Sequence, residues 1–104
     1  MDKYDENSKI FKALSDHNRL KIIDILSYGE KCAYQLLNYF DFKQPTLSHH
    51  MKILVECGLV EARKEGTWSH YRLNNKKANQ SVLFYMSIIN ETDDCMCTET
   101  NSNK

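Results

Sequence analysis

Proline, glycine and unbroken apolar sequence are all scarce in this chain, which has one proline and three glycines in 104 residues. No apolar run approaches the roughly 18 residues of a membrane span, and nothing reads as a secretory signal peptide. The protein is therefore expected in the cytoplasm, with no membrane partner. No Gly-rich phosphate loop is present, and no histidine has a nucleophile or carboxylate at a recognisable catalytic spacing, which argues against an enzyme. Repeats, low-complexity linkers and signs of a second domain are also missing. A chain this short makes one domain with a modest core, of a size that gains from a partner covering more surface. The four cysteines, Cys32, Cys57, Cys95 and Cys97, would mostly be reduced in the cytoplasm. Metal binding or redox sensing suits them better than a disulfide framework.

Net charge is absent as well, at zero, but its distribution is uneven. Between residues 43 and 77, Lys43, Lys52, Arg63, Lys64, Arg72, Lys76 and Lys77 outnumber Glu56, Glu61 and Glu65. The end of the chain reverses this, with Glu91, Asp93, Asp94 and Glu99 against Lys104. A basic middle with an acidic end fits local phosphate contact, and equally an evenly solvated surface.

What is present is helical periodicity around one stretch. Pro45 suits the first turn of a helix, where its missing N–H is no loss. Leu47, Met51 and Leu54 then recur on one face, with His50 turned toward it, and Gly58 is a stop signal. Thr46, Ser48, His49 and Lys52 fall on the other side, with Gln44 just ahead of them. Such a row offers hydrogen bonds and a methyl group to base edges and a cation to phosphate. On its own the stretch also fits an ordinary amphipathic surface helix.

The neighbours favour the first reading. Residues 1–7 are polar and expected to be loose, and Ile10, Phe11 and Leu14 begin a helix ending near Ser15. Asp16 caps a second, with Leu20, Ile23 and Leu26 inward, widened by Ile22 and Ile25, and closed by Gly29. A third runs from about Cys32 to Phe40, burying Ala33, Leu36, Leu37 and Phe40. Asp41-Phe42-Lys43 is a tight connection to the Pro45 helix, so the pair makes a helix-turn-helix whose second member carries the polar row. Leu59 to Lys64 and Thr67 to Leu73 then read as two strands about a Glu65-Gly66 turn, a hairpin that becomes a wing when packed beside the helices. The second strand places Ser69, Tyr71 and Leu73 on one face and Trp68, His70 and Arg72 on the other. Arg63, Lys64 and His70 lie near the tip, within reach of phosphates, or are solvated hairpin charges. Asn75 to Asn90 is a last helix with Val82, Leu83, Met86 and Ile89 on its apolar face, broadened by Phe84, Tyr85 and Ile88. It is suited to packing on a second copy with help from the first helix.

These residues resemble a known family. The run Phe11-Lys12-Ala13-Leu14-Ser15-Asp16…Arg19-Leu20-Lys21-Ile22-Ile23 is similar to the opening of an ArsR/SmtB-type repressor. Gln44 to Leu54, Gly58-Leu59-Val60 and Arg63-Lys64-Glu65-Gly66…Tyr71-Arg72-Leu73 match it too, so the resemblance covers about residues 9–90. It implies a mainly α fold with a β-hairpin wing, in the order α-α-α-α-β-β-α: a homodimeric winged helix-turn-helix over 1–90, followed by a flexible Cys-containing tail over 91–104. It implies a repressor that sits on operator DNA, an inverted repeat, and leaves when inducer binds. DNA contact is expected from Gln44, Thr46, Ser48, His49, Lys52, Arg63 and Lys64.

Within the family the resemblance is greatest to repressors of arsenical-resistance operons, with one gap. Those proteins typically carry Glu-Leu-Cys-x-Cys-Asp-Leu at the start of the third helix. Here the run is Glu30-Lys31-Cys32-Ala33-Tyr34-Gln35-Leu36, so Tyr34 stands where the second thiol would be. The last helix, from Asn75 to Asn90, holds no Asp, Glu, His or Cys, which sets aside the zinc site some relatives place there. Cys95-Met96-Cys97 remains, and the resemblance suggests that this pair replaces the missing thiol. Cys32, Cys95 and Cys97 would then hold trivalent arsenic or antimony, with Cys57 a semi-buried filler. No cofactor is required beyond this inducer. Two other uses of the thiols stay open: a peroxide- or sulfide-responsive redox regulator on the same fold, and a small metal carrier that does not bind DNA.

Overall fold

Two aspartates set the first helices. Asp2 accepts the Asp5 N–H at 2.8 Å and begins α1 (Lys3–Leu14). Asp16 accepts the N–H groups of Asn18 at 2.9 Å and Arg19 at 3.1 Å and begins α2 (His17–Leu26). Such caps satisfy the otherwise orphaned donors of a first turn. The computed structural model describes residues 2–90. After α2 come β1 (Lys31–Cys32), α3 (Ala33–Leu37), α4 (Gln44–Glu56), β2 (Val60–Glu65), β3 (Trp68–Leu73) and α5 (Asn75–Ile89).

The expected order of helices and hairpin is present, with four differences. Residues 3–7 belong to α1 rather than a loose terminus. The Asp2 cap holds them, as do contacts to α5: Tyr4 meets Phe84 edge-on at 5.8 Å, and Glu6 pairs with Lys77. The inward stripe of α2 is Ile22, Ile25 and Leu26, while Leu20 is 54% exposed. Ile22, Ile25 and Leu26 all enter the core cluster, and Arg19 donates to the Ala13 carbonyl at 2.8 Å, tying the first turn of α2 to the end of α1. α3 is shorter than expected and closes at Asn38. Only single turns continue it, from Tyr39 to Leu36 and from Phe40 to Leu37. Finally, the sheet has three strands in the order β1-β3-β2, with Lys31 opposite Tyr71 and Cys32 opposite His70. Two residues just ahead of a helix carry too little pattern to announce a strand.

The core gathers one face from each helix around α4. Ile10 and Ala13 of α1, the α2 stripe, Leu36 of α3 and Leu47, Met51 and Leu54 of α4 are buried, joined by Leu59 and Val60 at the entry to the hairpin. Each large aliphatic side chain so buried contributes about 1.5–3 kcal/mol, far more than the polar contacts on the opposite face of α4. That difference fixes which side of α4 points outward. Gly58, at φ +91°, turns the chain from α4 into β2 while the Lys77 side chain lies over it. α5 packs lightly, through Phe84, Ser81 and Ala78. Val82, Leu83, Tyr85, Met86, Ile88 and Ile89 stay exposed, Leu83 by 64%. No helix among the described residues is long and apolar enough to cross a membrane.

Candidate functional site

The short α3, the Asp41–Lys43 connection and α4 form the helix-turn-helix. Phe40 and Phe42 stack at 4.6 Å inside the turn, and Lys21 of α2 lies 4.9 Å over the Phe40 ring while donating to the Tyr39 carbonyl. This braces the turn from behind. Pro45 lies in the first turn of α4, and the Lys43 side chain makes no capping bond there. The first turn of α4 therefore takes no capping hydrogen bond from the side chain of its N-cap residue. Gln44, Thr46, Ser48, His49 and Lys52 are all exposed, whereas Leu47, His50, Met51 and Leu54 are buried.

His50 is the one polar group of α4 that faces the interior. Arg19 Nη1 lies 3.1 Å from its Nδ1, and Asp16 Oδ2 lies 4.0 Å from the same atom. A guanidinium can only donate, so Nδ1 is the acceptor and carries no proton. Burial, opposed by Asp16 and assisted by Arg19 and His49, holds the His50 pKa below its ordinary value of 6.5. The unfolded chain then binds the extra proton first, so stability is complete above pH 6.5 and falls as pH drops through the lower native value. Asp16, whose carboxylate is favoured chiefly by the Arg19 N–H, titrates below its ordinary 3.8 and adds no slope in that window. Thermal melts at pH 7.5 and 5.5 are therefore expected to show a lower midpoint at 5.5. His50→Gln, which keeps an acceptor for Arg19, should flatten that dependence; an unchanged slope would mean that His50 is not its source.

The hairpin separates its two wing cations. Arg63 bonds to Glu30 at 2.6 Å and to Glu65 at 3.3 Å, and the His70 ring sits between the same carboxylates at 3.7 and 3.3 Å. Glu61 and Arg72 pair beside them at 2.8 Å. That face is internally compensated. Lys64 alternates to the other face, where it shares a cleft with Gln44 and Ser48. The structure thus brings Gln44, Ser48 and Lys64 together and places Arg63 apart from them. Tyr34 and Trp68, which sequence reasoning did not assign to this region, line the same cleft with ring centroids 6.2 Å apart. Strand alternation assigned Trp68 to the opposite face; next to the turn, its ring instead meets Tyr34.

The two described thiols lie on different elements. Cys32 is half-buried at the head of α3, with its N–H donating to the Gln35 side chain at 2.8 Å. Cys57 closes α4, its sulfur donating to the Leu54 carbonyl at 3.4 Å. Burial raises the Cys57 pKa above its ordinary value of 9.0, which disfavours its thiolate. Cys95 and Cys97 lie outside the described residues. Among the described residues no group of three or more His, Cys, Asp or Glu side chains could hold a metal ion.

The family model described as "Bacterial regulatory protein, arsR family" matches residues 16–62, from the α2 cap into β2. The arsenical resistance operon repressor of Staphylococcus aureus is 47% identical over 100 residues, 95% of each chain. That of Staphylococcus xylosus is 48% identical over the same share. The chain belongs to the arsR family. Its fold agrees with the solution structure of a homodimeric winged helix-turn-helix DNA-binding domain from Mycobacterium bovis, a possible ArsR-family regulator. That match has 31% identity, a TM-score of 0.68, and covers 82% of this chain and 80% of that one. In this ArsR-family repressor α4 is accordingly the recognition helix and β2–β3 the wing.

Proposed function

We propose that this repressor controls an arsenical-resistance operon. Two copies bind an inverted-repeat operator and release it when trivalent arsenic or antimony is captured by Cys32, Cys95 and Cys97. The observation that carries the reading is the likeness, over 95% of both chains, to the arsenical resistance operon repressors of two staphylococci. Supporting it, Cys32 stands at the head of α3. One thiol does not suffice for a trivalent metalloid, so the pair at Cys95 and Cys97 completes the set. Arsenous acid then exchanges its three hydroxyls for three sulfurs, with each thiol proton leaving in a water molecule. Pairing of two copies is supported by the exposed apolar side of α5, with Phe11 and Tyr85 in edge contact 5.9 Å apart beside it. A twofold pair presents its recognition helices to major-groove faces about 34 Å apart.

DNA reading is assigned to Thr46, Ser48 and His49, phosphate contact to Lys52 and Lys64, and Gln44 to either. Arg63 is paired with Glu30 and Glu65 on the other face of the wing and is left out of this assignment. Ser48→Ala and His49→Ala should each reduce preference for operator over random duplex by about 1–3 kcal/mol. Lys52→Ala should weaken both duplexes alike and flatten the salt dependence. Fluorescence anisotropy on the two duplexes checks this; an unaltered preference in both Ser48→Ala and His49→Ala would refute the outward face as the reader.

A further inference from the structure

The two faces of the wing differ in a way that the recognition helix does not explain. On one, every cation meets a carboxylate: Arg63 with Glu30 and Glu65, and Arg72 with Glu61. On the other, between the wing and the start of α4, no Asp or Glu lines the cleft. Its walls supply Lys64 and neutral donors from Tyr34, Gln44, Ser48, Thr67 and Trp68. A concave surface with one cation, several hydroxyl, amide and indole donors and no acid is suited to an anion.

Two large aromatic side chains stand open in that cleft, Tyr34 61% exposed and Trp68 52%. They meet edge to face, at 73° between ring planes. Neither covers the core, so burial does not explain their position. An edge-to-face pair keeps each ring in place while leaving its outer face and polar tip available. Continuity supplies the occupant. With α4 in a major groove and the wing tip beside it, the backbone strand that divides a major from a minor groove would cross the space between them.

We propose that this cleft seats one sugar–phosphate strand of the duplex. Tyr34 and Trp68 pack on a deoxyribose with their polar tips toward the adjoining phosphate, and Lys64 supplies the neutralising charge. The proposal rests on the DNA reading given above and extends it to α3. It gives Tyr34, the residue at the position of a second thiol in the arsenical pattern, a role in holding DNA. Because sugar and phosphate carry no sequence, the contribution is to affinity and not to preference.

The test is anisotropy titration of operator and random duplexes across a salt series, with the full chain and its variants Tyr34→Ala, Tyr34→Phe, Trp68→Ala and Lys64→Gln. Tyr34→Ala and Trp68→Ala should each lose on the order of tenfold on both duplexes, leaving their ratio unchanged. Tyr34→Phe, which keeps the ring contact with Trp68, should show a smaller loss through its missing hydroxyl. Lys64→Gln should lower the slope of log affinity against log salt by about one. Ethylation interference should show one phosphate, outside the bases read by α4, that matters to the wild type and not to Tyr34→Ala. Wild-type affinity in both aromatic alanine variants would overturn the proposal, as would a loss confined to operator. If Tyr34→Ala were found unfolded, Tyr34→Phe decides: an unchanged affinity would then reject the hydroxyl contact and with it the seat. Failure of the wild type to bind either duplex would remove the DNA reading itself, an outcome distinct from the others because it needs no variant.

Discussion

Cys32→Ser is expected to bind operator like the wild type in the absence of arsenite, and to stay bound when arsenite is added. The double variant Cys95→Ser with Cys97→Ser should behave the same way, whereas Cys57→Ser should respond nearly normally. The expectation follows from where Cys32 sits. It ends β1, opposite His70 of β3, and heads α3. A ligand drawing its sulfur toward the tail therefore pulls on the helix before the reader and on the central strand of the wing together. Such a pull lowers DNA affinity only if the liganded conformation holds the two recognition helices at a different separation or tilt. The coupling needed is about 1–3 kcal/mol, enough to change affinity roughly 5- to 150-fold. Cys57 is expected to take no part, since its thiol is half-buried at the end of α4 and bonded to the Leu54 carbonyl. Arsenite-driven dissociation from labelled operator measures all three variants. Normal release by the tail double variant would remove Cys95 and Cys97 from the site and turn attention to Cys32 with Cys57.

Leu83→Glu is expected to convert the protein to a monomer and to reduce operator affinity by about 10²–10⁴-fold, the avidity gained when a second linked module binds its own half-site. Leu83 is 64% exposed, with Val82 at 57% and Ile89 at 57% on the same helix. A charge there disturbs little within one copy, but in a paired face it would be buried without a partner. Light scattering should give the monomer mass with a circular dichroism spectrum like that of the wild type. A stable Leu83→Glu dimer would place the pairing surface elsewhere.

Much of this arrangement was legible in the residues. Asp16, Pro45 and Gly58 punctuate the helices where they were expected to, because capping and backbone restriction act locally. The spacing of Leu47, Met51 and Leu54 gave the buried face of α4 and hence its outward row. What escaped depended on contacts distant in sequence. The Arg63–Glu30 pair spans 33 positions, and the Arg19–His50 contact spans 31. No local pattern reports either, so the residues alone do not show that Arg63 pairs with Glu30 on the face of the wing away from Lys64. The exposure of Leu20 likewise depends on how α2 sits against the other helices, where Arg19 is tied to Ala13. Trp68 and Tyr34 belong to different elements and read separately as an outward strand residue and an interrupted thiol motif; the β1–β3 pairing, with Cys32 opposite His70, brings those elements together. The thiol set is an expectation from chemistry alone, since Cys95 and Cys97 lie outside the described residues.

The central claim, that metalloid capture by thiols releases the repressor, is tested most directly by titrating arsenite into the wild-type protein bound to its own upstream DNA. DNA release and near-ultraviolet thiolate absorption would be followed together. Absorption is expected to rise and DNA to be released in step, both saturating at one arsenic per site of three sulfurs, with no release by peroxide. Release by peroxide without response to arsenite, or arsenite absorption that saturates while the DNA stays bound, would contradict the claim.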